Sequence, residues 1–144
     1  MRLIEKDAKE LLKRQGILVP VGFFVDWSVT AWPVERSWTG PRYLKAQVLA
    51  GRRGKGGLVQ RVATQEEFNQ VLTNLRAQLS QTTCAGFWCE EELIHETEWF
   101  VACDIDRATG EIRSHVSQEG GKDVSVIQSF TAQDLVESKR SSQF

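Results

Sequence analysis

Apolar positions Ile4, Ala8, Leu11 and Leu12 recur at three- and four-residue intervals, which places them on one helical face, and Gly16 follows as a stop. The next nine positions, Ile17 to Val25, are largely β-branched and aromatic and predict a buried strand, with Pro20 suited to its edge or start. From Asp26 to Gly40 the periodicity lapses. Trp27, Trp32 and Trp38 stand there among Pro33 and turn-forming serines, predicting irregular structure with aromatic anchors. Arg42–Leu49 and Leu58–Val62 then predict two strands joined in a hairpin-like unit across a glycine-rich basic loop, Ala50 to Gly57. Thr64 with Glu67 forms a capping-box pattern, and Phe68, Val71, Leu72, Leu75 and Leu79 mark the buried stripe of a helix of about four turns. Phe87–Ile94, Glu98–Asp106 and Glu111–Ser117 predict three strands, the last two joined by the turn Arg107-Ala108-Thr109-Gly110. A polar glycine loop follows over Gln118–Asp123, and Thr131 to Lys139 predicts a terminal helix capped by Thr131.

Strands and helices mixed in this order, with hairpins rather than strict alternation, indicate an α+β fold. Composition narrows the function classes. The 144 residues are 41% hydrophobic and 26% charged, enough for one self-supporting globular domain. Eighteen Lys and Arg against nineteen Asp and Glu leave a net charge of −1, without the basic excess that nucleic acid or an anionic membrane surface requires. The longest apolar run is broken by Pro20 and Gly22 and falls short of a membrane span, and no secretory signal pattern opens the chain, so a cytoplasmic location is expected. Cys84, Cys89 and Cys103 form no CxxC pair and no zinc cluster with His95 or His115, and are expected reduced and mostly buried. The two histidines match no motif and read as ordinary surface or hydrogen-bonded groups.

Two constellations carry candidate chemistry. Lys45 leaves a strand into a loop of glycines and cations through Arg52, Arg53, Gly54 and Lys55, where backbone N–H groups could approach phosphate oxygens and the cations offset their charge. It is not a Walker loop, and a solvated basic turn is an equal reading of the bare pattern. The second is the acidic run Glu90-Glu91-Glu92 with Glu98 beyond it, which could accept hydrogen bonds from a base amine or ribose hydroxyls, although such runs are more often solvated loops.

Four separated segments then agree in register with one family. Lys9-Glu10-Leu11-Leu12 with Gly16 and Val19-Pro20, Lys45-Ala46-Gln47-Val48 with Arg53-Gly54-Lys55, Asp106-Arg107-Ala108-Thr109-Gly110, and Glu119-Gly120-Gly121 resemble the β subunits of ADP-forming succinyl-CoA synthetases. The resemblance implies the first subdomain of an ATP-grasp fold, a mixed sheet with flanking helices, over residues 1–125, with 126–144 as a C-terminal tail. It further implies that the second subdomain and the C-terminal CoA-ligase domain of the family are absent from this stretch of chain. By the same resemblance Lys45, Arg52, Arg53 and Gly54 would meet nucleotide phosphates, and Glu90, Leu93 and Glu98 would line the nucleotide. The cofactor implied is ATP or GTP with Mg²⁺.

The chain also departs from the family. Leu49 stands where the family loop has a histidine, Arg52 where it has a second glycine, and the loop is one residue shorter after Lys55. The Trp-rich segment replaces an amphipathic helix. The expectation is therefore an incomplete nucleotide-binding module of an acid-CoA ligase that depends on other chains for catalysis. The alternative is a non-catalytic protein-binding or assembly module docking through the Trp27–Trp38 segment. A protein partner or a homo-oligomer is expected in either case, without nucleic acid and without a membrane span.

Overall fold

The computed structural model describes residues 3–49, 53–54, 56–118 and 127–131. In chain order these form α1 (Glu5–Arg14), β1 (Gly22–Val25), β2 (Arg42–Val48), β3 (Val59–Val62), α2 (Gln65–Gln78), β4 (Cys84–Glu91), β5 (Phe100–Ile105), β6 (Ile112–Ser117) and β7 (Gln128–Thr131). The chain divides into two units, Met1–Ile94 and His95–Phe144. All strand pairings among the described residues are antiparallel.

In the first unit the strands lie in the order β1-β4-β2-β3. The two-residue alternation of strand side chains sorts them onto opposite faces. Leu44 opposite Cys89, Ala46 opposite Phe87, and Val25 on β1 are buried on one face. There α2 covers them with Phe68, Leu72 and Leu75, none of which retains any exposure, each worth roughly 1.5–3 kcal/mol of burial. The intervening positions, Lys45 opposite Trp88 and Tyr43 opposite Glu90, turn to the second face. That second face is where α1 settles.

The capping box of α2 forms with one variation. Thr64 Oγ1 accepts the Glu67 N–H at 3.2 Å, while the Glu67 carboxylate reaches past the cap to accept the Ala63 N–H at 2.7 Å. The strand expected over Ile17–Val25 is shorter, confined to Gly22–Val25. Pro20 has no N–H to offer a ladder, so regular pairing starts only past it. Val21 then joins the edge through the Glu91 side chain and the Glu91 N–H.

The stretch from Asp26 to Gly40 is irregular, as its pattern predicts, and its tryptophans pack against the core to different depths. Trp32 is buried, edge-on to Phe68 at 5.2 Å and to Trp38 at 4.6 Å, and its indole N–H donates to the Arg36 carbonyl at 2.7 Å. Trp27 and Trp38 are half-buried against the same core. Trp32 is thus committed to the protein's own interior, while Trp27 and Trp38 keep part of their surface open.

The second unit is the sheet β5-β6-β7. The predicted turn joins β5 to β6: Gly110, at φ +76°, donates to the Asp106 carbonyl at 2.7 Å, and Asp106 Oδ1 accepts the Ala108 N–H at 2.8 Å. Thr131 ends β7 opposite Arg113, and residues 132–139 of the expected helix lie outside the described residues. Cys84 and Cys89 are buried, whereas Cys103, expected with them, is exposed on β5. His115 is hydrogen-bonded, with Ser129 Oγ at 2.9 Å and Asp104 Oδ2 at 3.0 Å. Among the described residues no helix is long and apolar enough to cross a membrane.

Candidate functional site

Glu5 and Lys9 stand one turn apart on α1, an i,i+4 spacing that aims both at the second face of the first sheet. Lys45 from β2, Glu90 from β4 and Arg53 from the loop after β2 meet them there. Lys45 Nζ lies 3.2 Å from Glu5 Oε1 and also donates to Glu90 Oε1. Lys9 pairs with Glu5 at 2.9 Å and with Glu90 Oε2. Arg53 Nη2 donates to Glu5 Oε2 at 2.6 Å, and its Nη1 donates to the Ala46 carbonyl at 3.1 Å. Trp88 completes the set, its indole N–H donating to Glu90 Oε2 at 2.7 Å.

Glu90 is 4% exposed, a burial a carboxylate tolerates only when its oxygens are matched, and here two ammonium groups and an indole match them. Glu5 is less deeply set. Burial alone would push its carboxyl up, but the hydrogen bond from Lys9, the charges of Lys45 and Lys9 and the bond from Arg53 outweigh that and hold it at about 2. For Lys45 the same contest favours the ammonium. Desolvation works against the charge, and the Glu90 hydrogen bond together with Glu5 and Glu90 charge raises the group above its ordinary value. Three cations and two carboxylates leave the cluster with one net positive charge.

Gln47 seats the helix on this cluster. Ile4, at the N-cap position of α1, has no side-chain acceptor, so the first-turn N–H groups need one from elsewhere. Gln47 Oε1 accepts the Lys6 N–H at 3.0 Å, while its amide donates to the Lys45 carbonyl at 3.0 Å. Beside the cluster, Lys9 and Trp88 form one wall of a groove of about 560 Å³ whose other wall is the Ile17–Gly22 segment. The groove is apolar on the segment side and charged with both signs where Lys9, Glu10 and Lys13 enter it from α1, a lining that suits a flat apolar ring with a polar edge.

Of the residues expected at a site, the structure therefore gathers Lys45, Arg53 and Glu90. Gly54 lies in the same turn, where the Leu58 N–H donates to the Arg53 carbonyl at 3.0 Å and the Gly57 N–H to the Gly54 carbonyl at 3.4 Å. Arg52 falls outside the described residues. Leu93 lies beyond the end of β4, half exposed, and Glu98 belongs to the second unit. The acidic run divides its labour: Glu90 enters the cluster, Glu91 accepts the Val21 N–H, and Glu92 takes both Arg61 nitrogens at 2.7 and 2.8 Å. Sequence reasoning missed Glu5, Lys9, Gln47 and Trp88 as site groups. The Glu5–Lys9 spacing was visible, but a spacing alone cannot tell a solvated helical pair from one facing a sheet. For Mg²⁺, no group of three or more His, Cys, Asp or Glu converges among the described residues, and Glu5 and Glu90 are already matched by cations. These carboxylates do not fit a magnesium site.

The first sheet thus buries α2 on one face and on the other gathers Lys45, Arg53 and Lys9 around the carboxylates of Glu5 and Glu90. A family model described as an ATP-grasp domain matches residues 2–138, and the chain belongs to that family. Curated relatives that it matches include β subunits of ADP-forming succinate–CoA ligases. It is 30% identical to the one from Exiguobacterium sibiricum and 35% identical to the one from Aromatoleum aromaticum, each over 94% of this chain and 38% of the relative. It is 32% identical to β subunit 2 from Streptomyces coelicolor, over 88% of this chain and 33% of the relative. The chain thus spans little more than a third of the length of these relatives.

Proposed function

We propose that this chain is the nucleotide-binding part of an acid–CoA ligase of the succinate–CoA ligase type, taking the phosphates of ATP or GTP on Lys45 and Arg53. One observation carries the reading: Lys45 and Arg53, eight positions apart, converge on the same carboxylate, which makes them a ready two-cation seat for an anion. Arginine offers a planar fork and lysine a compact charge, the pairing that phosphoryl oxygens suit. The neighbouring groove, with the Trp88 indole in its wall, is the place for a base on this reading, and Glu90 would orient Lys45 rather than touch phosphate. Leu93 and Glu98 are assigned to the nucleotide by the family resemblance alone. The relatives carry the name of a subunit and are longer than this chain, so we further assign it a protein partner that supplies the remaining chemistry, with no turnover by this chain alone. Three unpaired thiols suit a reducing compartment such as the cytoplasm.

The test is thermal unfolding of the chain against rising ATP and GTP, each with and without magnesium, with Lys45→Ala as control. A ligand at 100 times its Kd adds roughly 2.7 kcal/mol, a shift of several degrees for a domain of this size. A saturable shift in the parent that disappears in the variant supports the reading. No shift at millimolar nucleotide, or an equal shift in Lys45→Ala, refutes the assignment of phosphate to this cluster.

A further inference from the structure

Glu5 occupies the seat just described, and that has a consequence for any ligand. Its carboxylate takes Arg53 Nη2 at 2.6 Å and shares Lys45 Nζ at 3.2 Å, the two donors that a phosphoryl group would need. Glu90, the other carboxylate, holds Lys45 from the opposite side, but no contact joins it to Arg53. Glu5 alone therefore bridges the two cations of the seat. It is delivered there by α1, a helix with no buried residue of its own, whose first turn is anchored by the Lys6 N–H on Gln47. We propose that Glu5 is an internal counter-anion: a polyphosphate binds by displacing the Glu5 carboxylate from Arg53 and Lys45 and lifting the first turn of α1 from Gln47.

The exchange is balanced in charge. In the closed state the cluster carries one surplus positive charge, so long-range attraction to an anion is weak. Once Glu5 leaves, Arg53 keeps only its bond to the Ala46 carbonyl and Lys45 keeps only Glu90, and the polyphosphate takes up the exposed charge. The departing carboxylate moves with the first turn into solvent, where water takes over its hydration, while Lys9, one turn further along, stays on Glu90. The closed state thus taxes apparent affinity by the fraction of molecules in which the seat is free. A monoanion with a single contact has little with which to displace a carboxylate held by three cations. A polyphosphate, which can engage Arg53 and Lys45 together, does. The contact therefore selects for polyphosphate over small anions.

This inference rests on the nucleotide reading above, and the experiment separates the two. Inorganic tripolyphosphate and ATP are titrated calorimetrically against the parent chain, Glu5→Gln and Asp7→Asn. Asp7 is a half-exposed acid on the same helix, paired with Lys6 at 3.5 Å and outside both the cluster and the groove, so its variant removes the same charge without touching either. The expected result is binding about tenfold tighter in Glu5→Gln for both ligands, with Asp7→Asn within about twofold of the parent. Equal or weaker binding in Glu5→Gln overturns the displacement and makes Glu5 a group that positions Lys45, while the nucleotide reading stands. An equal gain in both variants overturns it as well, since net charge alone would then explain the gain. Absence of binding in all three removes the nucleotide reading and this inference with it. Should Glu5→Gln not fold, hydrogen exchange of the parent's Lys6 amide decides: faster exchange under saturating tripolyphosphate supports the lifted turn, and unchanged or slower exchange overturns it.

Discussion

Arg53 Nη2 donates to Glu5 Oε2 at 2.6 Å, across 48 positions of sequence. That bond ties a glycine-flanked loop to the first turn of α1, and it makes the loop's geometry depend on a helix that contributes nothing to the hydrophobic core. The loop and the helix are therefore energetically one element, although β1 and β2 separate them along the chain.

The acid limb of stability should report this bond. Glu5 sits at about 2 in the folded chain against an ordinary 4.5, held down chiefly against burial by Lys9, Lys45 and Arg53, with Glu90 the other charged group in the cluster. A depressed carboxyl stabilises fully above its unfolded value and loses that contribution as pH falls from about 4.5 through about 2, because the unfolded chain then takes up the proton first. The size of the depression corresponds to about 3 kcal/mol. Urea unfolding of the parent and Glu5→Gln at stepped pH should show a gap that narrows across that window. A gap that stays constant from pH 6 to pH 3 would mean that Glu5 is not so held.

Trp32→Ala should destabilise the chain by about 3–5 kcal/mol, the cost of removing a large buried aromatic. Trp32 is 6% exposed and touches Phe23, Trp38 and Phe68 edge to face, so the vacated space opens between the sheet and α2. Denaturant unfolding measures this directly. A loss below about 1 kcal/mol would return Trp32 to the surface role that its sequence setting allowed.

The thiols should react in two classes. Burial pushes Cys89 up to about 12, against the smaller pull of the Arg42 charge, and Cys84 is equally enclosed, whereas Cys103 is exposed on β5. In the native chain at neutral pH, a disulfide reagent should titrate one thiol quickly and the other two only as the chain unfolds. Cys103→Ser should abolish the fast phase. Two fast thiols would show that β4 opens far more readily than its packing implies.

How much of this could be read beforehand depends on whether the information was local. The α2 helix was legible to within a residue, because Thr64, Glu67 and the Phe68–Leu75 stripe are all short-range signals. The β5–β6 turn was legible for the same reason, with Gly110 supplying the left-handed position. The strand before β2 was overread, since apolarity at Ile17 and Leu18 looks the same whether the residues pair in a sheet or stand half or wholly exposed, as they do. At the site, Lys45, Arg53 and Glu90 stood out from a lysine entering a glycine-rich basic loop and from an acidic run, and the resemblance to a family added weight to both. Glu5, Gln47 and Trp88 were not, because their importance lies in partners 40 and more residues away, or in a neighbour on the same strand that turns to the same face. The Trp segment shows the converse: three indoles close in sequence look alike, and only packing distinguishes enclosed Trp32 from half-exposed Trp27 and Trp38.

The two helices of the first unit answer to different thermodynamic variables. Helix α2 is held by apolar contact, whose strength fades on cooling and carries a large heat-capacity change. Helix α1 is held by ion pairs and one amide acceptor, and the desolvation cost of ion pairs falls as temperature rises. Heating toward the midpoint should thus leave α1 seated until the sheet beneath it gives way, so that the helix with the smaller packed surface is not the first to detach. Cooling should bring the two helices' attachments closer to parity.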